Sequence, residues 1–121
     1  MKKTLTLLAL TITFSMNAQM SDNSSGTSAT GSNAVAMGRN TTASGNSSTA
    51  IGGNTSASGY YSTAMGRSTE ASGNYSTAMG EDSTASGWYS TAMGDNTTAS
   101  DYNSLVIGQY NSSGSSVTNS A

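Results

Sequence analysis

The sequence predicts an all-β fold, a parallel β-solenoid built from coils of fourteen residues. The hexapeptide Tyr-Ser-Thr-Ala-Met-Gly occurs three times, at Tyr61–Gly66, Tyr75–Gly80 and Tyr89–Gly94, each copy fourteen residues after the last. Glycines recur in phase with it, and each period holds two short runs of small or β-tolerant residues. A fixed period of this kind is typical of architectures in which one structural unit stacks on the next.

The composition limits the classes of function. The chain has 121 residues, enough for one domain at most, and contains no His and no Cys. It therefore lacks the usual nucleophile–base pairs and transition-metal ligands and forms no disulfide. After residue 19, six acidic residues stand against two basic ones, a poor match to nucleic acid or anionic lipid. We expect a non-enzymatic protein with no nucleic-acid partner.

The first nineteen residues have the layout of a secretory signal peptide. Lys2 and Lys3 precede a mostly apolar run, and Ala18 offers a small residue for cleavage. The apolar run is too short for a membrane span, and no later segment is apolar enough for one. We therefore expect a secreted chain with a signal peptide at 1–19 and no membrane span.

The remaining chain divides around the repeats. Blocks counted from Ala34 have the consensus S-T-A-M-G-x-x-T-x-A-S-G-x-[YN], and a sixth block begins SLVIGQYNSSG and then loses the pattern. The segment 27–33 fits the second half of an earlier block. The predicted organisation is a polar lead-in at 20–26, repeats at 27–110, and a polar tail or truncated end at 111–121.

Each block is predicted to form one coil with two strands and two glycine corners, because glycine tolerates the positive φ of tight corners. The glycines predicted at the first corner are Gly38, Gly52, Gly66, Gly80, Gly94 and Gly108. Those predicted at the second corner are Gly31, Gly45, Gly59, Gly73 and Gly87, with Asp101 in the fifth block. Parallel coils about 4.8 Å apart would then form a short rod.

Alternation of side chains along the first strand leaves two interpretations of the interior. Small alanine ladders suit the inside of a narrow roll, which leaves an apolar ladder on an outer face; alternatively that apolar ladder fills the core. This ladder, a core or a subunit interface, consists of Met37, Ile51, Met65, Met79, Met93 and Ile107. Since a single roll buries little surface, either interpretation favours self-association.

Aromatic residues gather at the last two block positions and are the candidate ligand-binding residues. They are Tyr60, Tyr61, Tyr75, Trp88, Tyr89 and Tyr102. Stacking would place Tyr61, Tyr75 and Tyr89 in a ladder along one corner, either as a structural stripe or as a contact surface. Trp88 and Tyr60, one position earlier, are the better candidates for recognition.

Charged residues are few and in phase. Arg67 is expected to pair with Glu81 in the next coil, whereas Glu81 and Asp95 form a like-charge step. Glu81, Asp82 and Asp95 are candidate ligands for a weak Ca²⁺ site. Acidic residues on a solvated edge usually bind nothing specific, however, and the glycine- and aspartate-rich signature of calcium-binding rolls is absent. We therefore predict no metal and no cofactor.

Threonines suggest an alternative function. Thr49, Thr63, Thr77 and Thr91 form one predicted ladder, and Thr41, Thr55, Thr69 and Thr97 form another with Ser83. Flat threonine arrays on solenoids also occur in ice-binding proteins, and such a face requires both ladders to be coplanar and bare. A structural spacer for another module is a third possibility.

The blocks resemble the head repeats of YadA-like trimeric autotransporter adhesins, whose unit has the form N-S-V-A-I-G. The closest segments are Asn33–Gly38 and Asn103–Gly108, and the resemblance covers about residues 27–110. It implies a left-handed parallel β-roll with three chains per head, at the outer surface of a Gram-negative bacterium. It also implies adhesion to extracellular matrix or to host or neighbouring cells.

Overall fold

A computed structural model describes residues 20–21 and 25–113, which form a parallel β-solenoid of about six turns. Within these residues, thirteen strands lie in two parallel sheets. One sheet has seven strands in the order β1-β3-β5-β7-β9-β11-β13, and the other has six in the order β12-β10-β8-β6-β4-β2. Each coil thus contributes one strand to each sheet, and the sheets are called here the long-strand and short-strand sheets.

The strands repeat at the period of the sequence. The long-strand sheet contains β1 (Met20–Ser21), β3 (Val35–Arg39), β5 (Thr49–Gly53), β7 (Thr63–Arg67), β9 (Thr77–Glu81), β11 (Thr91–Asp95) and β13 (Leu105–Gln109). The short-strand sheet contains β2 (Ser28–Ala29), β4 (Thr42–Ala43), β6 (Ser56–Ala57), β8 (Glu70–Ala71), β10 (Thr84–Ala85) and β12 (Thr98–Ala99). From β3 to β13 every long strand pairs with the residues fourteen positions away, so equivalent side chains form ladders.

The stack extends slightly beyond the predicted repeats at both ends. Met20 and Ser21, assigned from sequence to a polar lead-in, form β1 and pair with Val35 and Ala36 of β3. At the other end Ser112 forms a parallel bridge with Thr98, although the sequence pattern has faded there. The predicted signal peptide at 1–19 and residues 114–121 of the predicted tail lie outside the described residues.

Alanine, and not methionine, lines the interior. The alanines from Ala36 to Ala92 in the long strands and from Ala43 to Ala99 in the short strands are fully buried. Met65, by contrast, is only half-buried, on the outer side of its strand. The other fully buried side chains are serines and threonines, so the interior of the roll holds only small groups. Of the two interpretations left open by the sequence, the alanine interior is the one the structure shows.

The glycines predicted at the first corner of each coil do not lie at a corner. The six glycines predicted at the first corner lie within the long strands, where their φ values range from 115° to 136°. At Gly66 an added Cβ would lie 1.9 Å from the carbonyl oxygen of Gly80, so the side chain is excluded by the next coil as well. Their assignment as turn residues is therefore corrected: they allow strands to stack closely.

Non-glycine residues turn the chain instead. A left-handed residue with φ between 48° and 59° occurs every seven positions from Asn33 to Tyr110, two per coil. Tyr61, Tyr75 and Tyr89 are among them. The corresponding prediction for Asp101 is also wrong, because Asp101 is not among the residues with positive φ.

Candidate ligand-binding surfaces

The outer side of the long-strand sheet carries an apolar stripe beside a row of threonines. Strand register aligns Met65 with Met79 and Met79 with Met93, and the threonines two positions earlier align in the same way. The central methionines of the stripe are half-buried, whereas Met37 and Ile107 at its ends are 40% and 59% exposed. The apolar ladder predicted from the sequence is thus continuous and faces outward in the single chain.

A second surface lies at the corner before each long strand. We call the six residues Tyr60, Tyr61, Tyr75, Trp88, Tyr89 and Tyr102 the aromatic corner. The rings of Tyr61 and Tyr75 stack with centroids 5.3 Å apart, and those of Tyr75 and Tyr89 stack at 4.8 Å. The interplanar angles are 7° and 3°, so the predicted tyrosine ladder is confirmed. Tyr75 is stacked on both faces and Tyr61 and Tyr89 on one face each, while all three side chains remain about half exposed.

The other aromatic residues of the corner are arranged differently. Tyr60 and Trp88 are 53% and 56% exposed and lie two coils apart. Between them, Asn74 accepts a hydrogen bond on Oδ1 from the backbone N–H of Tyr60, at 2.9 Å. The ring of Tyr102 meets that of Tyr89 edge-on, at 5.7 Å and 70°. From Asn46 to Trp88, asparagine and aromatic side chains therefore alternate along this position of the coil, and Tyr102 follows Trp88 directly.

Two acidic residues of the charged row at the end of the long strands, Glu81 and Asp95, have partners in a neighbouring coil. Arg67 forms the predicted ion pair with Glu81, although both side chains remain largely exposed. The carboxylate of Asp95 accepts a hydrogen bond from Nε2 of Gln109, at 2.9 Å. Repulsion between Glu81 and Asp95 in adjacent coils is thus reduced, because Arg67 contacts the first carboxylate and Gln109 the second. Sequence reasoning missed Gln109, although its place fourteen residues after Asp95 was a usable signal.

Two exposed side chains near the end of the stack also escaped the sequence analysis. Leu105 occupies the outward position held by threonine in the preceding four coils and is 65% exposed. Tyr110 has φ of 54° at the corner where other coils carry residues such as Asn54 and Asn96. Aligning the sixth block with the others would have revealed both departures.

The threonine ladders do not form a shared face. The row that includes Thr55 and Thr69 is buried inside the roll, whereas the row that includes Thr63 and Thr77 lies on the outer side. Since an ice-binding face was expected to need both rows coplanar and bare, this arrangement argues against that alternative.

Neither a metal cluster nor a membrane helix is found within residues 20–21 and 25–113. Over that part of the chain, no three acidic, histidine or cysteine side chains are grouped in a way that suits a metal ion. Glu81, Asp82 and Asp95 accordingly form no such group. The same residues include no helix long and apolar enough to span a membrane.

Comparison with known families identifies the repeat. The family described as YadA head domain repeat (2 copies) matches residues 29–55, 57–83, 71–96 and 85–111, which together exceed half of the chain. No curated protein and no solved structure matches the chain. The matched segments coincide with the coils, and this family is of the adhesin type and is not an enzyme family. The chain therefore belongs to the family of YadA head domain repeats.

Proposed function

We propose that this chain is the head of a homotrimeric adhesin at the outer surface of a Gram-negative bacterium. Its ligands are components of the extracellular matrix or of host or neighbouring cell surfaces. The observation that carries the proposal is the strict repetition of outward groups, since each coil presents nearly the same side chains as its neighbours in register. A ligand that bridges several coils gains from many weak contacts through effective concentration.

The apolar stripe supports a trimer. A continuous row of methionine and isoleucine on the outer side of the long-strand sheet is a larger apolar surface than a solitary chain of this size normally exposes. Association through this row buries it and enlarges the thin alanine core. In a closed ring of three identical chains, each chain turns the same face toward the threefold axis and contacts both neighbours there through different parts of that face.

The aromatic corner favours adhesion over a passive spacer. A spacer needs only stacked coils, and asparagine at Asn33 and Asn103 already satisfies the left-handed corner position. Tyrosine replaces it at Tyr61, Tyr75 and Tyr89, in the same coils as exposed Tyr60 and Trp88. Tyrosine and tryptophan are the residues that most often dominate protein contacts.

Beads displaying the full chain test the proposal on surfaces coated with matrix proteins or intact cells. We expect retention that falls strongly when residues 62–89, two whole coils, are deleted, because fewer coils contact the ligand. Replacement of Trp88 alone should lower retention only a few-fold. If the deletion leaves retention intact while one point substitution abolishes it, the distributed surface is wrong and a discrete site replaces it. Failure of the full chain to bind any such surface overturns the proposed function itself.

A further inference from the structure

The aromatic side chains of the corner repeat at a nearly constant interval along the rod axis. Its stacked rings are separated by 5.3 and 4.8 Å, and successive coils repeat the same uncharged groups. Because stacking covers most of the ring faces, a ligand lying along the ladder meets mainly ring edges and phenol hydroxyl groups. Each phenol hydroxyl both donates and accepts hydrogen bonds.

We propose that the aromatic corner binds an unbranched, uncharged, extended polysaccharide laid parallel to the rod axis, with one sugar unit per coil. In an extended β-1,4-linked chain, each pyranose unit advances by about the spacing of neighbouring strands. Successive units also turn over, so every second sugar presents the same face. A ligand of this kind remains in register with the coils over the length of the ladder.

Tyr60 and Trp88 fit this alternation. They are two coils apart, a distance of about 9.6 Å at the usual strand spacing. Both are more than half exposed, and neither has a ring partner among the described residues, in contrast to the stacked tyrosines. Each can pack against an apolar sugar face, as aromatic side chains do with flat ligands. The sugar between them meets Asn74, whose Oδ1 is already hydrogen-bonded and whose amide N–H groups remain to donate.

The charge of the corner selects among extended polymers. The turns around Tyr60, Tyr75 and Trp88 carry no charge, Asp101 beside Tyr102 is acidic, and the chain as a whole is acidic. Nucleic acids and sulfated glycans are polyanions that are held by basic residues, so neither suits this surface. An uncharged polysaccharide needs no basic residues in its binding surface.

The ladder also discriminates against a proline-rich peptide. Such peptides dock in grooves between aromatic side chains, where proline rings enter the gaps. Stacking at 4.8 and 5.3 Å leaves no gap between Tyr61, Tyr75 and Tyr89. Sugar hydroxyl groups, in contrast, need only the row of phenol hydroxyls on the outside of the stack.

This inference rests on the proposed function, because it names the ligand class of the same adhesive surface. The test uses the full chain in co-sedimentation with cellulose and chitin particles, both β-1,4-linked and extended. Amylose, an α-linked and coiled polymer of the same kind of sugar, is the control polysaccharide. Soluble β-1,4 oligosaccharides of different lengths then serve as competitors, and the fluorescence of Trp88, the single tryptophan of the chain, reports contact at the corner.

Two variants separate the corner from the rest of the surface. Replacing both Tyr60 and Trp88 with asparagine introduces the residue found at Asn46 and Asn74 in the same coil position, so the fold is expected to be retained. Tyr110→Asn is the matched control, because it removes an exposed tyrosine from the opposite corner, where asparagine also occurs naturally. Circular dichroism verifies that all three proteins contain the same secondary structure.

We expect the parent chain and Tyr110→Asn to bind cellulose or chitin alike, with the double variant weakened about tenfold. Longer oligosaccharides should compete better than short ones, because they span more coils. Equal binding to amylose, or unchanged binding by the double variant, overturns the inference. So does binding to a polyproline peptide in place of β-linked glycans. If the chain adheres to cells but to neither cellulose nor chitin, the ligand class is wrong and the proposed adhesion stands; if it adheres to none of them, both fail.

Discussion

A Cβ atom added to Gly59 would lie 2.0 Å from the carbonyl oxygen of Gly73 in the next coil. Gly59 begins the aromatic corner of its coil, and its carbonyl accepts a hydrogen bond from the N–H of Ser62 at 3.3 Å. Because the obstacle is backbone, it cannot move aside without opening the stack. The spacing of coils at this corner therefore depends on the absence of a side chain.

The first prediction is that Gly59→Ala lowers the free energy of unfolding by about 3 kcal/mol or more. Gly53→Ala is the matched control, because an added Cβ there meets nothing within 4 Å and other coils carry Arg67 or Glu81 at that position. The control should change stability by less than about 0.5 kcal/mol. Urea unfolding followed by circular dichroism measures both, and equal effects would show that close approach is not the cause.

The second prediction concerns the backbone of the tyrosine ladder. Tyr75 has φ of 59°, a region that costs most side chains about 1–2 kcal/mol and that asparagine tolerates better. Tyr75→Asn relieves that cost but removes stacking worth about 0.5–1.5 kcal/mol per ring pair. Because Tyr75 stacks on both Tyr61 and Tyr89, the lost stacking totals about 1–3 kcal/mol, so we expect the free energy of unfolding to fall by no more than about 2 kcal/mol.

A β-branched residue separates the two effects at Tyr75. Valine also lacks the aromatic ring and fits the left-handed region poorly, so Tyr75→Val should destabilise by about 2 kcal/mol relative to Tyr75→Asn. Denaturant unfolding of the two variants provides the comparison. Equal stabilities would mean that the corner conformation carries no strain and that stacking alone accounts for the tyrosine.

The third prediction addresses assembly. If the apolar stripe holds three chains together, replacing Met65, Met79 and Met93 with serine should give monomers that unfold more readily. Sedimentation velocity reports the mass, and thermal unfolding should become independent of concentration in the variant. Replacing Thr42, Thr84 and Thr98 of the short-strand sheet with serine is the control and should leave the mass unchanged. A parent chain that sediments as a stable monomer would refute the interface.

The ladders were predictable from sequence because they follow from the period alone. A repeat of fourteen residues with parallel stacking places Tyr75 beside Tyr89, and Arg67 beside Glu81, whatever the details of the coil. The alanine interior was favoured by side-chain size but not decided, since alternation fixes which residues share a face and leaves open which face is inside.

The corners were harder to predict because glycine has two roles here. It permits positive φ at Gly66, and at Gly59 it permits close approach of the next coil with an ordinary φ. Sequence reasoning assigned both to turns. The residues that turn the chain include Tyr61 and Tyr75, which have positive φ. Because bulky side chains seldom adopt positive φ, the sequence did not indicate tyrosine as a corner residue. Only the stacked geometry explains why such residues are kept there.

The last prediction tests the period itself. Deleting residues 62–89 removes two whole coils and joins Tyr61 to Ser90, so the alanine ladders and the strand register of the remaining coils stay aligned. Deleting residues 62–88 removes one residue fewer and joins Tyr61 to Tyr89.

A shift of one residue turns every following side chain to the opposite face, which places methionine inside and alanine outside. The narrow interior holds only small side chains: no fully buried side chain among the described residues is larger than threonine, and Ala50 and Ala92 on either side of the junction are fully buried. We therefore expect the first deletion to retain a cooperative unfolding transition and a β-sheet spectrum, and the second to lose cooperativity or to expel the extra residue as a bulge at the junction. Circular dichroism and urea unfolding distinguish a folded from an unfolded product, and hydrogen exchange of the coils after Ser90 identifies a bulge by unchanged protection there. Loss of structure in the in-phase deletion would mean that the coils depend on more than contact with their immediate neighbours.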